Sequence, residues 1–564
     1  MKIVNLSTDD SEVESIPLSE YPRPQFKRES YICLNGFWNL AISKSKEIPE
    51  KFDYQIRVPY PVESTLSNIQ RYLKKDEYLY YQKDFTLEDD FINDIVELHF
   101  DGIDQCAQVY LNDKLISTHK GGYLPFSVQI QDYLQKENHL VIRVKDNLDF
   151  KYPYGKQSKK SHGMWYNKIS GIWKTVWIES YSKNHFKGIR ITPSLNEVTF
   201  EIDTNIKSKT LIISNGKEEL RKSFSANKVT FKINNPILWT PENPFLYSFR
   251  LISDSDQIES YFALRTIEIK NYQGISRIML NNKPYFFHGL LDQGYFPDGI
   301  FTPKSYQKYQ DDILLAKNLG FNTLRKHIKI EPDYFYYLCD KLGIIVFQDM
   351  VNNDKYHFFK ETLLPTIGLQ KWKNYGKRRN PSVKANFINH SKETINLLYN
   401  HPSVCYYTIF NEGWGQFDAD KMYQLLKNED QTRIFDTTSG WFNSNLSDVT
   451  SKHVYFKKIK VRPSKRPIII SEFGGYVYKD INHSYNLEKT YGYKIFKEVS
   501  SYQEGLINLY QTQIIPNIKY GISGAIYTQL SDVEDETNGL ITYDRKVIKV
   551  NQDEMLKLKD KLKI

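Results

Sequence analysis

The chain has little cysteine. It has four cysteines in 564 residues, Cys33, Cys106, Cys339 and Cys405, and no C-x-x-C pair. Each lies in an apolar or amphipathic segment, which is typical of a buried reduced thiol. A disulfide framework needs more cysteines at regular spacing, and a cysteine-ligated zinc site needs them in close pairs. The sequence therefore excludes both.

The chain also lacks a long hydrophobic run. Its first ten residues, MKIVNLSTDD, turn acidic before an apolar signal segment forms. No later run approaches the roughly 20 residues that a membrane-spanning helix needs. We therefore expect no membrane association and a cytoplasmic location.

The chain as a whole has no large excess of positive or negative charge. The 76 Lys and Arg residues are balanced by 67 Asp and Glu residues, which gives a formal net charge of +9 spread over the length. Binding to a phosphate backbone needs a concentrated basic face. We therefore expect no nucleic-acid partner.

The first half of the chain is rich in strand-forming sequence. Between residues 30 and 180, short alternating runs such as 95–100, 107–111 and 140–144 are separated by Gly, Asn-Asp and Pro. This pattern indicates an antiparallel sandwich, which we assign to residues 1–182. Residues 183–270 repeat the all-β pattern over a length that suits one immunoglobulin-like β-sandwich. A chain of this size is expected to form several domains.

From residue 271 to 564 apolar strands alternate with amphipathic helical segments, which predicts a (β/α)8 TIM barrel. The eight candidate strands are 283–291, 323–328, 344–350, 404–410, 433–438, 448–455, 467–472 and 522–530. Because each strand precedes its helix, the carboxyl ends of the strands form the rim where we expect the active site.

Two glutamates fall at such strand ends. An apolar run over 403–410 breaks into Asn411-Glu412-Gly413, and a second run over 467–471 leads to Glu472. Taken alone, Asn411 and Glu412 also suit the start of a helix, where Asn caps and Glu favours the positive end. Glu472 taken alone also suits an exposed Gly-rich loop. Together the two carboxylates suggest acid–base or nucleophilic chemistry on a sugar.

With these motifs behind two sandwiches, the chain resembles glycoside hydrolase family 2, which holds β-galactosidases, β-glucuronidases and β-mannosidases. The resemblance covers nearly the whole length: an N-terminal jelly-roll sandwich, an immunoglobulin-like sandwich and a C-terminal TIM barrel. It implies that Asn411 contacts the sugar 2-hydroxyl, that Glu412 is the acid/base and that Glu472 is the nucleophile. A retaining glycosidase needs two carboxyls about 5–5.5 Å apart, one ionised and one protonated.

Further candidates for substrate binding lie on the second and sixth strands. Alternation along the second strand places Arg325, His327 and Lys329 on one face, toward the nucleophile or the sugar. A rim ion pair is an equal alternative for Lys329. The resemblance implies that Tyr455 hydrogen-bonds the nucleophile, and His453 shares its face. His327 departs from the family, whose better-known members carry Arg-x-x-His.

The first and eighth strands depart further from the family pattern. The first has Asp292 where β-galactosidases and β-glucuronidases carry Asn-(Arg/Lys)-His-Glu after the Gly, and we expect Asp292 to bind a sugar hydroxyl. On the eighth strand Tyr527 is a candidate for stacking on the sugar, although the acidic residues after it also suit an exposed loop. Leu540 replaces the Lys of the Asn-x-Lys motif by which β-glucuronidases hold the sugar carboxylate. Lys326 or Lys329 is the possible substitute.

Acidic residues on the third and eighth strands raise the question of a metal, because some β-galactosidases of this family bind magnesium. The candidates are Asp349, Asp532, Glu534 and Glu536. No spacing among them demands a site, and neighbouring carboxylates are commonly solvated or hydrogen-bonded. We expect neither a metal nor a cofactor.

The resemblance and the two glutamates together predict a retaining exo-β-glycosidase that hydrolyses a small β-linked hexoside by double displacement, with β-galactosidase-like specificity. A β-glucuronidase and a β-mannosidase are alternatives within the family. A non-catalytic carbohydrate-binding protein is an alternative from another class, although an idle site has no physical need for two carboxylates that repel each other. The sequence leaves open whether the chain forms a homo-oligomer.

Overall fold

The computed structural model describes residues 3–364, 379–442 and 444–564. The N-terminal part is an antiparallel sandwich of two sheets. In pairing order the larger sheet contains Tyr54–Val58, Gly36–Ser43, Tyr78–Phe85, Asn138–Lys145, Cys106–Leu111 and Lys114–Lys120. The smaller contains Tyr31–Cys33, Val176–Tyr181, Ile95–Phe100 and Phe126–Gln129. Trp38, Leu98 and Ile142 share the apolar core between the sheets, since alternate side chains of each strand point inward.

A smaller antiparallel sandwich comes next in the chain. One sheet pairs Phe186–Pro193, Glu197–Thr204 and Lys228–Lys232. The other pairs Glu219–Phe224, Lys209–Ser214, Tyr247–Ile252 and Gln257–Phe262. Phe200 and Phe249 pack between them, with ring centroids 5.2 Å apart. Two facing sheets of three and four strands are the arrangement of an immunoglobulin-like domain.

The rest of the chain is built around eight parallel strands, numbered here β1 to β8. They are β1 Phe287–Asp292, β2 Thr323–Lys326, β3 Ile345–Asp349, β4 Val404–Asn411, β5 Ile434–Ser439, β6 Thr450–Val454, β7 Ile468–Gly474 and β8 Ile522–Thr528. They pair in the order β5-β4-β3-β2-β1-β8-β7-β6. The strands at the two ends of this order, β5 and β6, are also joined. The backbone N–H of Asp448, just before β6, donates to the carbonyl of Phe435 in β5 at 3.0 Å.

Helices surround this barrel. The α-helices in the described parts of the chain are α1 Tyr306–Asn318, α2 Asp333–Leu342, α3 Pro381–Leu398, α4 Ala419–Glu429, α5 Val499–Leu509 and α6 Gln552–Lys559. Single π-helical turns cover Phe359–Leu363 and Tyr510–Ile514. Short 3₁₀ turns cover Thr65–Ser67, Gln131–Tyr133, Ile481–His483 and Ile515–Tyr520. No helix within the described ranges combines the length and the apolar character needed to cross a membrane.

The amino end of the barrel is closed by protein. A sheet of Ile267–Tyr272, Ile275–Leu280 and Lys283–Pro284 packs under it. Arg265 donates to the carbonyls of Pro402 and Val404 at 2.9 and 2.8 Å, and Arg277 donates to the Ile522 carbonyl at 2.6 Å. These guanidinium groups satisfy backbone oxygens beside the strand starts. The carboxyl end is therefore the end of the barrel at which a site is expected.

A loop of the first sandwich reaches that carboxyl end. The backbone N–H of Tyr154 donates to the Asn352 carbonyl at 3.1 Å, and that of Asn167 donates to Glu534 Oε1 at 2.8 Å. The Trp165 and Trp414 rings are 5.0 Å apart between centroids. Residues 150–168 therefore form part of the wall of any site at the barrel mouth.

The predicted order of two sandwiches followed by a TIM barrel is confirmed. The predicted first barrel strand, 283–291, begins too early. Asn281 and Asn282 have positive φ angles of 52° and 65°, so they form a tight turn that sends Lys283–Pro284 back along Ile275–Leu280. The barrel strand starts only at Phe287.

Candidate active site

Two glutamates meet at the carboxyl end of the barrel. Glu412 follows β4 directly, and Glu472 lies within β7. One carboxylate oxygen of each lies within 4.8 Å of the other. Their side chains are only 11% and 6% exposed. The two carboxyls therefore share one small, largely desolvated space at the rim where TIM barrels carry their active sites.

The backbone turns sharply to place Glu412 there. Its φ is 53°, in the left-handed region, and its N–H donates to the Ser439 carbonyl at 3.0 Å. Gly440 lies against it: a Cβ at that position would come within 3.3 Å of Glu412 Cγ and 3.2 Å of His453 Nδ1. Strained residues persist where the surrounding structure fixes them, and such positions cluster at functional sites.

Arg325 organises the floor of the site. Its Nε donates to Asp349 Oδ1 at 2.9 Å, and its Nη2 donates to Asn411 Oδ1 at 2.9 Å. Its Nη1 donates to the Ser471 carbonyl at 2.9 Å and to Glu472 Oε1 at 3.1 Å. The planar guanidinium thus fixes Glu472 and orients Asn411, whose amide nitrogen forms no hydrogen bond with the described residues.

His453 lies between the two glutamates. Its Nδ1 is 2.7 Å from Glu412 Oε1 and 3.3 Å from Glu472 Oε2. Its Nε2 is 2.6 Å from Ser439 Oγ. Burial lowers the pKa of His453 to about 4. The ring is therefore neutral near pH 7, with a proton on Nδ1 to donate to the carboxylates while Nε2 accepts from the Ser439 hydroxyl.

Tyr455 provides Glu472 with a second donor. Its hydroxyl donates to Glu472 Oε2 at 2.5 Å and is 3.0 Å from Thr528 Oγ1. Its ring stacks on Tyr493 with centroids 3.8 Å apart and planes 12° apart. Stacking and hydrogen bonding together fix the phenol against the carboxylate.

The two carboxyls have different electrostatic environments. Burial raises the pKa of Glu412 to about 7, opposed first by the ammonium of Lys156 and then by Arg325. Burial also raises the pKa of Glu472, but His453, Arg325 and the Tyr455 hydroxyl all favour its ionised form, while Glu412 opposes it. Glu472 directly contacts a guanidinium and Glu412 does not, so a proton shared by the pair belongs on Glu412.

His327 lies deeper and supports the floor. Its Nδ1 is 2.7 Å from Asp349 Oδ2, on the opposite carboxylate oxygen from Arg325. Burial disfavours the charged forms of His327 and Asp349, and it lowers the pKa of His327 to about 3. Arg325 and His327 nevertheless hold the pKa of Asp349 at about 2. Asp349 is therefore an ionised anchor for Arg325.

Asp292, Lys326 and Lys329, proposed from the sequence near the first two strands, form buried ion pairs in which the two lysines share Glu331. Lys326 Nζ is 2.6 Å from Asp292 Oδ2 and 2.9 Å from Glu331 Oε1. Lys329 Nζ donates to the carbonyls of Gly294 and Phe301 at 2.5 and 2.8 Å and to Glu331. The expectation that Asp292 binds a sugar hydroxyl is corrected, because Lys326 and the Gly294 N–H occupy its oxygens. Lys326 and Lys329 are likewise occupied.

The expectation that Tyr527 stacks on the sugar is also corrected. Its side chain is fully buried in the cluster between barrel and helices, with its ring 5.7 Å from that of Phe473. Along β8, Ile526 belongs to the barrel interior and Tyr527 to the outer layer, since successive side chains alternate. The inward neighbour at the rim is Thr528, which contacts Tyr455.

Sequence reasoning missed Lys156, which comes from the first sandwich. It is only 8% exposed, and its ammonium lies 5.5 Å from the centroid of the Trp165 ring. That ammonium forms no hydrogen bond or ion pair with the described residues. It lowers the pKa of Glu412 and of Glu536 against the effect of burial. Lys156 is thus a desolvated cation at the site, and nothing in its surrounding sequence indicated this.

The loop after β8 adds Glu536. Its Oε1 accepts from Asn538 Nδ2 at 3.0 Å, and its Oε2 accepts from the Tyr166 hydroxyl. Asn538 also accepts from Gln529 Nε2 at 2.9 Å, and Leu540 is fully buried in the apolar core. The position expected to hold a sugar carboxylate in β-glucuronidases therefore faces the protein interior.

The acidic residues considered for a metal do not converge on one point. Asp349 binds Arg325 and His327, Asp532 binds Lys549 at 2.6 Å, and Glu534 accepts from the Asn167 N–H. Within the described ranges, the carboxylate and imidazole groups with spacing suited to a cation are Glu412, His453 and Glu472. Arg325 already supplies a positive charge 3.1 Å from Glu472. The arrangement thus suits proton transfer and nucleophilic attack.

The fold and the paired carboxyls define a sugar-processing barrel, and comparison with family models gives the same class. The model described as glycosyl hydrolases family 2, TIM barrel domain, matches residues 267–549. The galactose-binding domain-like model of that family matches residues 56–183, and a further family 2 model matches residues 180–265. The chain belongs to glycosyl hydrolase family 2.

Individual relatives carry different substrate names. A β-galactosidase of Thermoanaerobacter pseudethanolicus is 26% identical over 72% of this chain and 56% of its own length. A putative β-glucuronidase of Formosa agariphila is 26% identical over 62% of this chain and 42% of its own length. The chain thus spans about half the length of these relatives. A β-D-glucuronidase structure from Dictyoglomus thermophilum has the same fold, with a TM-score of 0.73, 18% identity, and coverage of 96% of this chain and 98% of that one.

Proposed function

We propose that the protein is a retaining exo-β-glycosidase that works by double displacement on a small β-linked hexoside. The observation that carries the proposal is the carboxyl pair, with oxygens of Glu412 and Glu472 within 4.8 Å of each other. Retaining enzymes place their carboxyl groups about 5–5.5 Å apart, and inverting enzymes about 6.5–9.5 Å apart to admit a water. The short separation supports retention.

The environments of the two groups support separate roles. Glu472, held by Arg325 and Tyr455, is the ionised nucleophile that forms a bond to the anomeric carbon as the glycosidic C–O bond breaks. Glu412, with a pKa of about 7, gives its proton to the leaving oxygen. Glu412 then takes a proton from the water that attacks the glycosyl-Glu472 ester, which returns Glu472 to its ionised form.

Binding of the sugar involves the groups around this pair. The amide nitrogen of Asn411, oriented by Arg325, is the donor proposed for the 2-hydroxyl. His327 hydrogen-bonds Asp349, the anchor of Arg325, and His453 lies between Glu412 and Glu472. Lys156 supplies a further donor from the first sandwich. These assignments replace the roles first expected of Asp292 and Tyr527.

For the sugar itself we propose a neutral β-hexoside, with β-galactoside-like specificity. Glu536 is in the same part of the site as Lys156, and its carboxylate suits a hydroxyl and repels a sugar carboxylate. Leu540 is buried where β-glucuronidases carry their lysine. β-Glucuronides and β-mannosides remain the alternatives, and Lys156 is the group that favours a glucuronide.

A panel of matched nitrophenyl β-glycosides tests this proposal. We expect turnover, a higher kcat/KM on a neutral hexoside than on the glucuronide, and the β-anomer as the first-formed product by proton NMR. An initial α-anomer would contradict double displacement. A strong preference for the glucuronide would reject the neutral sugar, and Lys156→Met would then be expected to abolish that preference. Binding without any turnover would favour the non-catalytic carbohydrate-binding alternative.

A further inference from the structure

The segment after β6 is strongly basic. Residues 452–466, called here the basic segment, contain seven cations: Lys452, Lys457, Lys458, Lys460, Arg462, Lys465 and Arg466. No acidic residue occurs between Asp448 and Glu472. The even distribution of charge over the whole chain conceals this local excess. Such a run has to be solvated or matched by an outside anion.

None of these seven cations forms an ion pair with a carboxylate of the described residues. Lys452 donates to the Lys460 carbonyl at 3.2 Å, and Arg466 donates to the Asn445 carbonyl, so both contact neutral oxygens. Some exposed lysines elsewhere do pair with acids, as Lys228 does with Glu201 at 2.6 Å. The basic segment therefore keeps its positive charge unmatched.

Part of the basic segment lines a cleft of about 660 Å³. Lys457, Lys458 and Lys460 are exposed in its wall, and no carboxylate is among the described lining residues. Trp441 and Phe456 add aromatic surface, and Phe456 is 72% exposed. Ligand pockets typically measure about 300–1,000 Å³, so the cleft is large enough for a specific ligand.

The cleft adjoins the catalytic pair through two shared residues. His453 and Tyr455 also line it. The same His453 ring contacts Glu412 and Glu472, and the same Tyr455 hydroxyl contacts Glu472. In the proposed mechanism the reacting sugar ring lies over Arg325 and Asn411. The neighbouring cleft is then available to the group attached to the leaving oxygen.

We propose that this cleft is an aglycone subsite for an anionic saccharide, whose carboxylate or sulfate groups bind Lys457, Lys458 and Lys460. The exposed aromatic rings offer a face on which a sugar ring can stack. A lysine ammonium is a compact charge that suits either anion without demanding bidentate geometry. The inference deepens the proposed function and rests on it, because an aglycone exists only if a glycosidic bond is cleaved.

Three β-(1→4)-linked disaccharides test the proposal, all with the sugar that gives turnover in the nitrophenyl panel and with glucose, glucuronic acid or glucose 6-sulfate at the reducing end. We expect kcat/KM to be about tenfold higher for at least one acidic aglycone than for glucose. One exposed ion pair changes an equilibrium by a factor of about 1.5–5, and the anion is expected to pair with at least two of the three lysines. The advantage is expected to shrink between about 0.02 and about 0.5 M salt, because exposed charges are screened.

The triple variant Lys457→Ala/Lys458→Ala/Lys460→Ala is expected to bring the ratio of acidic to neutral kcat/KM close to 1. A control with the same loss of charge, Lys187→Ala/Lys217→Ala/Lys232→Ala, changes exposed lysines of the immunoglobulin-like sandwich. It is expected to keep the ratio. An equal drop in both triple variants would indicate long-range steering and overturn a local subsite.

The remaining outcomes of these experiments also support or overturn the proposed subsite. A response to glucuronic acid alone or to the sulfate alone supports the proposal and identifies the anion. No advantage for either anion overturns it, as does equal competition by a short oligothymidylate, which would make the segment a general polyanion surface. Titration calorimetry of the acidic disaccharide with the wild type and the cleft variant tests the subsite even if no glycoside is hydrolysed. Failure of the cleft and failure of the proposed function are therefore distinguishable.

Discussion

Replacing Tyr455 by Phe removes one hydroxyl and leaves the stacked ring in place. That hydroxyl donates to Glu472 Oε2 at 2.5 Å, so the variant loses a hydrogen bond to a charged group. Such a bond contributes about 1.5–3 kcal/mol. At about 1.36 kcal/mol per factor of ten, the loss corresponds to roughly tenfold to a hundredfold in the step that depends on it.

The step concerned is the second one. When water attacks the glycosyl-enzyme, Glu472 leaves as a carboxylate, and Tyr455 stabilises the charge that develops on it. In the first step the same charge disappears as Glu472 attacks. We therefore expect Tyr455→Phe to lower kcat for a dinitrophenyl glycoside by about ten- to a hundredfold, while kcat/KM, which reports the first step, falls less.

Stopped-flow kinetics measures this directly. The variant is expected to release a burst of dinitrophenol close to the enzyme concentration, and mass spectrometry should detect the sugar attached to Glu472. Tyr493→Phe is the matched control, because the Tyr493 hydroxyl forms no hydrogen bond with Glu472 while its ring stacks on Tyr455. Equal losses in kcat and kcat/KM without a burst, or a kcat within about twofold of wild type, would refute the reasoning.

The pKa of Glu412, which burial raises to about 7, gives two further predictions. Activity needs the protonated acid and should decline as the pH rises through this value. Lys156→Met removes a charge that lowers this pKa, so the alkaline limb of the pH profile of kcat/KM should move to higher pH. An unchanged limb, or an equal shift in the control variant Lys159→Met at an exposed lysine, would contradict this. The folded pKa lies above the ordinary value of 4.5, so ionisation of Glu412 lowers the free energy of unfolding as pH rises from 4.5 through 7. Glu412→Gln should therefore be more stable than wild type at pH 8 by up to about 3 kcal/mol, with no difference near pH 4. Urea unfolding at both pH values measures this, and equal stability of the two proteins at pH 8 would contradict the argument.

The sequence was sufficient to predict the barrel and its two glutamates because these rest on local signals. Each glutamate ends an apolar run, and period-two alternation placed Arg325 and His327 together, where both contact Asp349. The same alternation explains the error at Tyr527. Tyr527 lies near the rim, which suggested a role in the site. Its position in the alternation along β8, however, directs its ring outward.

Other features depend on contacts between distant parts of the chain. Lys156 reaches the site on a loop of the first sandwich, more than 200 residues before Glu412, and no local pattern marks it. Asp292 was predicted to face the sugar, but Lys326 and Gly294 are its partners. The choice of a partner by a buried charge depends on three-dimensional geometry, which strand spacing does not specify.

The central claim is that Glu472 is the nucleophile and Glu412 the acid/base, and the stereochemistry of azide rescue tests it most directly. Glu412→Ala should still form the glycosyl-enzyme from a dinitrophenyl glycoside, and azide, which needs no general base, should then give the β-glycosyl azide with retained configuration. Glu472→Ala has no nucleophile, so azide in its place should give the α-glycosyl azide. An α-azide from Glu412→Ala together with a β-azide from Glu472→Ala would contradict the assignment, and a wild-type rate in either variant would remove that residue from the mechanism.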